Sequence, residues 1–138
     1  MNKEQFEHAA KHFLHTLVPH TQASILALRG DLGAGKTTFV QTIARELGVK
    51  ETITSPTFVI MKKYELFNQS FKTVIHIDAY RLKDSRELEV LGWNELVANP
   101  TNLICIEWPE RVEPLIPSNA RHIQFIFIDE HTRLVEYI

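Results

Sequence analysis

Gly30-Asp31-Leu32-Gly33-Ala34-Gly35-Lys36-Thr37 is the stretch on which the reading of the whole chain turns. It meets the phosphate-loop pattern G-x-x-x-x-G-K-[ST] at every fixed position. With glycine near 7% of residues, a chance match in a chain of this length is on the order of half a percent. The residue types follow from the chemistry. Glycines let backbone N–H groups turn inward around phosphate oxygens where a Cβ would block the approach, and a helix starting near Lys36 adds the positive end of its dipole. Lys36 offers a mobile positive charge to β- and γ-phosphates, and the hydroxyl of Thr37 suits coordination of Mg²⁺.

The flanks have the context the motif needs. Ser24-Ile25-Leu26-Ala27-Leu28 is a short, nearly continuous apolar run, the pattern of a strand buried on both faces. Phe39-Val40, Ile43-Ala44 and Leu47 return to helical spacing and stop at Gly48. Upstream, Phe6, Ala9, Ala10, Phe13, Leu14 and Leu17 predict an amphipathic helix from about Glu4 to Leu17. His8, His12 and His15 fall on its opposite side, where a solvated polar face accounts for them without a metal. Downstream, Phe58 to Leu66 and Lys72 to Asp78 read as a hairpin, and short helices between Tyr80 and Asn99 are broken at Gly92 and before Pro100. Leu103 to Glu107 reads as a second buried strand, Pro109, Pro114 and Pro117 interrupt the next segment, and His122 to Ile128 with Arg133 to Ile138 form two last strands. Parallel strands and helices in the first half, with hairpins appended, predict an α/β fold: a P-loop NTPase-like domain with a mixed sheet flanked by helices.

The chain has 138 residues, 44% of them hydrophobic and 23% charged, and residues 1–138 are read as one P-loop domain. Fifteen Lys+Arg against seventeen Asp+Glu leave a net charge of -2, which argues against a large phosphate-tracking surface of its own. Cys105 stands alone inside an apolar run, so neither a disulfide framework nor a multi-cysteine metal site is expected. The N-terminal residues carry acids and no apolar core, and no run reaches the ~18 apolar residues of a membrane span. A cytoplasmic protein with no membrane contact is the expectation.

A phosphate loop also needs an acid at the end of a neighbouring strand to hold Mg²⁺ directly or through water. Val74-Ile75-His76-Ile77-Asp78 and Leu103-Ile104-Cys105-Ile106-Glu107 both end in a carboxylate, and either could serve. The economical division gives the metal to Glu107, whose strand is the more continuously apolar, and water activation or switching to Asp78. Thr54-Ser55-Pro56-Thr57 stands where a γ-phosphate switch is often placed. Trp108 could stack on a base or a partner, or pack at the sheet edge, while Arg81 and Arg111 follow the two acids. An N-K-x-D guanine reader is missing, which favours ATP over GTP.

Gly30 to Thr38, Ser55-Pro56-Thr57-Phe58, His76-Ile77-Asp78-Ala79-Tyr80-Arg81 and Ile106-Glu107-Trp108-Pro109-Glu110-Arg111, in this order, resemble the bacterial TsaE (YjeE) family. The resemblance covers nearly the whole chain; the C-terminal hairpin alone lacks a marker. It implies an ATPase of the system that installs threonylcarbamoyladenosine in tRNA, working with the transferase TsaD and with TsaB and meeting tRNA indirectly through that complex. It implies that Gly33, Ala34, Gly35, Lys36, Thr37 and Thr38 hold the phosphates, that Thr37 and Glu107 hold Mg²⁺, and that Asp78 matters for hydrolysis; Gly30, at the head of the motif, is counted with the nucleotide-binding residues. Ser55-Pro56-Thr57 would form the switch, and Thr57 and Trp108 would contribute to the nucleotide site. Two other classes remain open on the residues alone: a small P-loop metabolite kinase, for which no Arg-rich lid is visible, and a nucleotide-dependent binding module with little hydrolysis.

Overall fold

The computed structural model describes residues 2–31, 34–54 and 59–138, the side chain of Arg133 excepted. Helix α1 (Lys3–Leu14) opens on a capping box in which Asn2 and Gln5 satisfy each other's backbone N–H groups. It ends a turn earlier than its apolar spacing predicts. Thr16 turns its hydroxyl back to the Phe13 carbonyl at 2.6 Å and the chain leaves the helix towards Pro19, with Leu17 still packed on the core. Strand β1 (Ser24–Arg29) runs one residue past its apolar segment, and α2 (Lys36–Glu46) follows the loop and stops before Gly48, which takes a positive φ of 92°.

Strand β2 (Met61–Glu65) pairs antiparallel with β3 (Thr73–Asp78) as the hairpin reading requires. It starts at Met61, because Ile60 takes a positive φ of 68°. Helices α3 (Ser85–Val90) and α4 (Trp93–Ala98) are separated at Gly92, and the Asp84 side chain caps α3 by accepting from the Arg86 N–H at 3.0 Å. Strand β4 (Asn102–Glu107) leads into a 3₁₀ segment, Pro109–Leu115, kinked at Val112. Strands β5 (Arg121–Asp129) and β6 (Thr132–Tyr137) close the chain as an antiparallel pair.

All six strands form one sheet in the order β2-β3-β4-β1-β5-β6. The mixed sheet flanked by helices is the expected fold. Each hairpin gives one strand to the parallel set, so β3-β4-β1-β5 is parallel and only β2 and β6 run antiparallel, at the two edges. The physical reason lies in burial. Val74 to Asp78 is buried throughout, which only an interior strand allows, whereas β2 buries Tyr64 alone.

Strand alternation sorts the core into two layers. Leu26, Leu28, Val74, Leu103, Cys105 and Phe125 face α1 and α2, where Phe6, Phe13, Phe39 and Ile43 meet them. Phe39 and Phe125 pack edge to face with centroids 5.3 Å apart. Ile25, Ala27, Ile75, Ile77, Ile104 and Ile106 face α3, α4 and the 3₁₀ segment, where Leu88, Trp93 and Val112 are buried. Among the described residues no helix is long and apolar enough to cross a membrane.

Candidate functional site

The alternation that builds the core also carries polar side chains to its C-terminal edge. Along β3, Val74, His76 and Asp78 share the α2-facing side; along β4, Leu103, Cys105 and Glu107 do so, with Asp78 and Glu107 paired in register. Strand β1 lies beside β4 and ends at Arg29, so the chain enters the phosphate loop next to Glu107. The site thus lies outside the carboxyl ends of parallel strands.

Gly30 has φ 147°, and a Cβ placed on it would meet the Phe125 carbonyl oxygen at 2.5 Å. Glycine at this position is demanded by the close passage of β5. Ala34 is fully buried and its N–H donates to the Asp31 carbonyl at 3.1 Å. Gly35, at φ 108°, is the N-cap of α2 and supplies no side chain to the first N–H groups of that helix, which suits them to an anion. Lys36 is only 4% exposed. Its Nζ donates to the Gly30 carbonyl and lies 3.7 Å from the centroid of the Trp108 ring. Burial holds its ammonium below the ordinary lysine range, against the upward pull of Glu107, Glu110, Asp78 and Asp31. A buried cation that forms no ion pair among the described residues fits a site made for phosphate.

Thr37 donates its hydroxyl to Glu107, 3.1 Å from Oε2 and 3.3 Å from Oε1. A threonine hydroxyl against a carboxylate is a hard oxygen donor set, the kind that holds Mg²⁺ together with phosphates and waters. Among the described residues no group of three or more His, Cys, Asp or Glu is placed to hold a metal. Asp78 is buried at the end of β3, and its Oδ1 accepts the Tyr80 N–H at 3.0 Å. Thr38 lies half-buried on the first turn of α2, where its carbonyl accepts the Thr42 hydroxyl at 2.9 Å. Gly33 and Ser55-Pro56-Thr57-Phe58, with the phosphate and switch roles expected of them, lie outside the described residues.

Trp108 takes a left-handed φ of 59°, which turns its ring over Lys36 directly after β4. Tyr80 lies against it at 5.0 Å, and the Arg111 guanidinium stands 5.4 Å from the Tyr80 ring. Three neighbours had no assigned role in the sequence. His76 brings Nε2 to 2.5 Å from Glu107 Oε2. Arg29 reaches Glu113 at 3.0 Å and Glu110 at 3.7 Å, and donates to His122 at 3.3 Å, tying the end of β1 to the 3₁₀ segment and β5. Tyr80 is the third. The available signal for His76 was parity, since it is two residues before Asp78 in a run otherwise apolar. His8, His12 and His15 are all exposed to solvent.

A mixed sheet with a parallel core, whose central strand feeds a glycine-bearing loop and a helix headed by Lys36-Thr37, defines a P-loop protein. The model of the family described as threonylcarbamoyl adenosine biosynthesis protein TsaE matches residues 1–135. The chain is 36% identical over 138 residues to the tRNA threonylcarbamoyladenosine biosynthesis protein TsaE of Rickettsia felis, an alignment covering 99% of this chain and 76% of that protein. It is 38% identical over 99 residues to the TsaE of Bacillus subtilis, covering 72% of this chain and 59% of that one. The crystal structure of Bacillus subtilis YdiB superimposes with a TM-score of 0.75 at 27% identity, over 99% of this chain and 80% of that one. The chain belongs to the TsaE family of tRNA threonylcarbamoyladenosine biosynthesis.

Proposed function

We propose that this chain is the Mg²⁺-dependent ATPase subunit of threonylcarbamoyladenosine formation, one nucleotide domain that supports repeated cycles of a TsaD–TsaB transferase complex in the cytoplasm. The observation that carries the reading is the Thr37–Glu107 pair beside a buried, carboxylate-flanked Lys36. Lys36 transfers its donors from the Gly30 carbonyl to the β- and γ-phosphates. The backbone of Gly30, Gly33, Ala34, Gly35 and Thr38 and the head of α2 receive the remaining phosphate oxygens. Thr37 and Glu107 hold Mg²⁺, which when bound neutralises developing charge on the phosphoryl oxygens. Asp78, held by the Tyr80 N–H, orients the attacking water, and Trp108 covers the lysine and limits solvent entry. Thr57 senses the γ-phosphate. A net charge of -2 accords with tRNA being met through TsaD and TsaB.

The test combines binding with turnover. Lys36→Ala should weaken ATP about 100-fold, the loss of about 3 kcal/mol from charge-assisted contacts. Asp78→Asn should keep ATP affinity while lowering hydrolysis about 10²- to 10⁴-fold. With TsaD and TsaB, wild-type protein should sustain tRNA modification over many cycles and Lys36→Ala should not. Equal product from both refutes the proposal, and γ-label recovered in a small metabolite instead of free phosphate makes the chain a kinase.

A further inference from the structure

Glu107 ends β4 with its carboxylate between two donors from different elements: the Thr37 hydroxyl of α2, and His76 of β3 at 2.5 Å. His76 is fully buried, opposite Cys105 in the β3–β4 register and therefore on the α2-facing side beside Glu107. Its other ring nitrogen, Nδ1, is buried with no hydrogen-bond partner among the described residues. That asymmetry selects a tautomer. A proton on Nδ1 would leave a buried N–H without an acceptor and aim the Nε2 lone pair at a carboxylate oxygen. A proton on Nε2 makes the short contact a hydrogen bond and leaves only a bare lone pair unpartnered, the less costly orphan.

A carboxylate 4% exposed and held only by a threonine hydroxyl could turn about its own axis, yet Mg²⁺ accepts little deviation from octahedral geometry. We propose that His76 is a positioning residue whose Nε2–H grips Oε2 of Glu107 and presents this carboxylate, with Thr37, to the metal in one orientation. The proposal rests on the reading of Glu107 as a Mg²⁺ ligand. His76 itself touches neither nucleotide nor ion. It does what the outer partners of metal-binding carboxylates do elsewhere, fixing a ligand from behind.

The experiment uses Mn²⁺ as an EPR-visible probe, titrated into the ADP complex of the full chain. His76→Phe, which keeps the ring shape and loses the donor, should weaken Mn²⁺ about 10- to 100-fold. His76→Gln, whose amide N–H reaches about as far as Nε2, should return affinity to within about threefold of wild type. ADP affinity in EDTA should be the same in all three. Wild-type Mn²⁺ affinity in His76→Phe, or a Gln variant as weak as Phe, overturns the proposal. Glu107→Ala separates the two layers of the argument. If it weakens Mn²⁺ and His76→Phe does not, His76 loses its role and the ligand stands; if neither does, the ligand reading itself fails. Long-range proton–nitrogen correlation on the wild-type imidazole needs no variant to fold. It should show the Nε2–H tautomer, and Nδ1–H would overturn the proposal.

Discussion

Gly30→Ala tests whether the start of the phosphate loop is held by packing against β5. The new Cβ would lie 2.5 Å from the Phe125 carbonyl oxygen and 3.1 Å from Phe125 Cβ, with the backbone at φ 147°. Carbon and carbonyl oxygen normally keep about 3.3 Å apart, so roughly 0.8 Å must be found. Phe125 cannot yield it easily. The residue is 1% exposed, paired with Val135, and packed on Phe6 and Phe39. Positive φ in a non-glycine costs about 1–3 kcal/mol and overpacking about as much again, so a loss near 3 kcal/mol is expected from a total of about 5–15. For a chain of this size that lowers Tm by about 10 °C. Gly48→Ala is the matched control, with φ 92° and nothing within 4 Å of its Cβ, and should cost only about 1 kcal/mol. Urea unfolding followed by circular dichroism and by tryptophan fluorescence gives both values. If Gly30→Ala costs no more than Gly48→Ala, β5 does not constrain the loop and the packing argument is wrong. Because the Gly30 carbonyl also accepts from Lys36, the same substitution should weaken nucleotide binding.

Two further perturbations address charge in the interior. Burial lowers the Lys36 pKa below its ordinary 10.5, so between the folded value and 10.5 the unfolded chain binds more protons and stability rises with pH. Lys36→Met should therefore unfold at higher temperature than wild type at neutral pH, with the gain shrinking as pH approaches 10.5; a gain that stays constant over this range contradicts the burial argument. Cys105 is fully buried, and burial, with Glu107 beside it, pushes its thiol up to about 12. A disulfide reagent at pH 8 should leave it unmodified in the native chain and titrate it once urea unfolds the protein, and rapid native labelling would show the β4 layer to be open.

The helix α1 and the strands β1 and β4 were legible because their signals are local. Phe6, Ala10, Phe13 and Leu14 recur at helical spacing, and the apolar runs of β1 and β4 have no polar face to show. The end of α1 was not, since Leu17 keeps the periodicity after Thr16 has already turned the chain. Strand order is not legible in the sequence for a different reason. A hairpin reads as a unit from its turn, but which of its strands joins the interior depends on pairing with distant strands, β4 for β3 and β1 for β5. In the site, Lys36 and Thr37 are fixed by a contiguous motif and Asp78 and Glu107 by their place at strand ends. His76, Tyr80 and Arg29 act through neighbours 31, 28 and 84 residues away, Glu107, Trp108 and Glu113, a relation no window of sequence contains.

What joins these observations is the cost of placing charge at the edge of a core. Strands β3 and β4 could have continued apolar, and their α2-facing positions Val74, Leu103 and Cys105 do so before His76, Asp78 and Glu107 appear. Carboxylates this buried are tolerable only where donors converge. Here the hydroxyl of Thr37, the imidazole of His76 and the Tyr80 N–H arrive from a helix, a strand and a turn. The buried ammonium of Lys36 is the complement: among the described residues, a cation with one carbonyl and one indole face for company, opposed by burial and favoured by the acids around it. Among the described residues each polar group at this edge is held by a neighbour from another part of the fold. An arrangement of that kind is stable enough to fold, and it gains most from a ligand that brings its own anion to the lysine and its own cation to the carboxylate. A phosphate chain with a divalent metal, the ligand proposed for this site, would supply both charges at once.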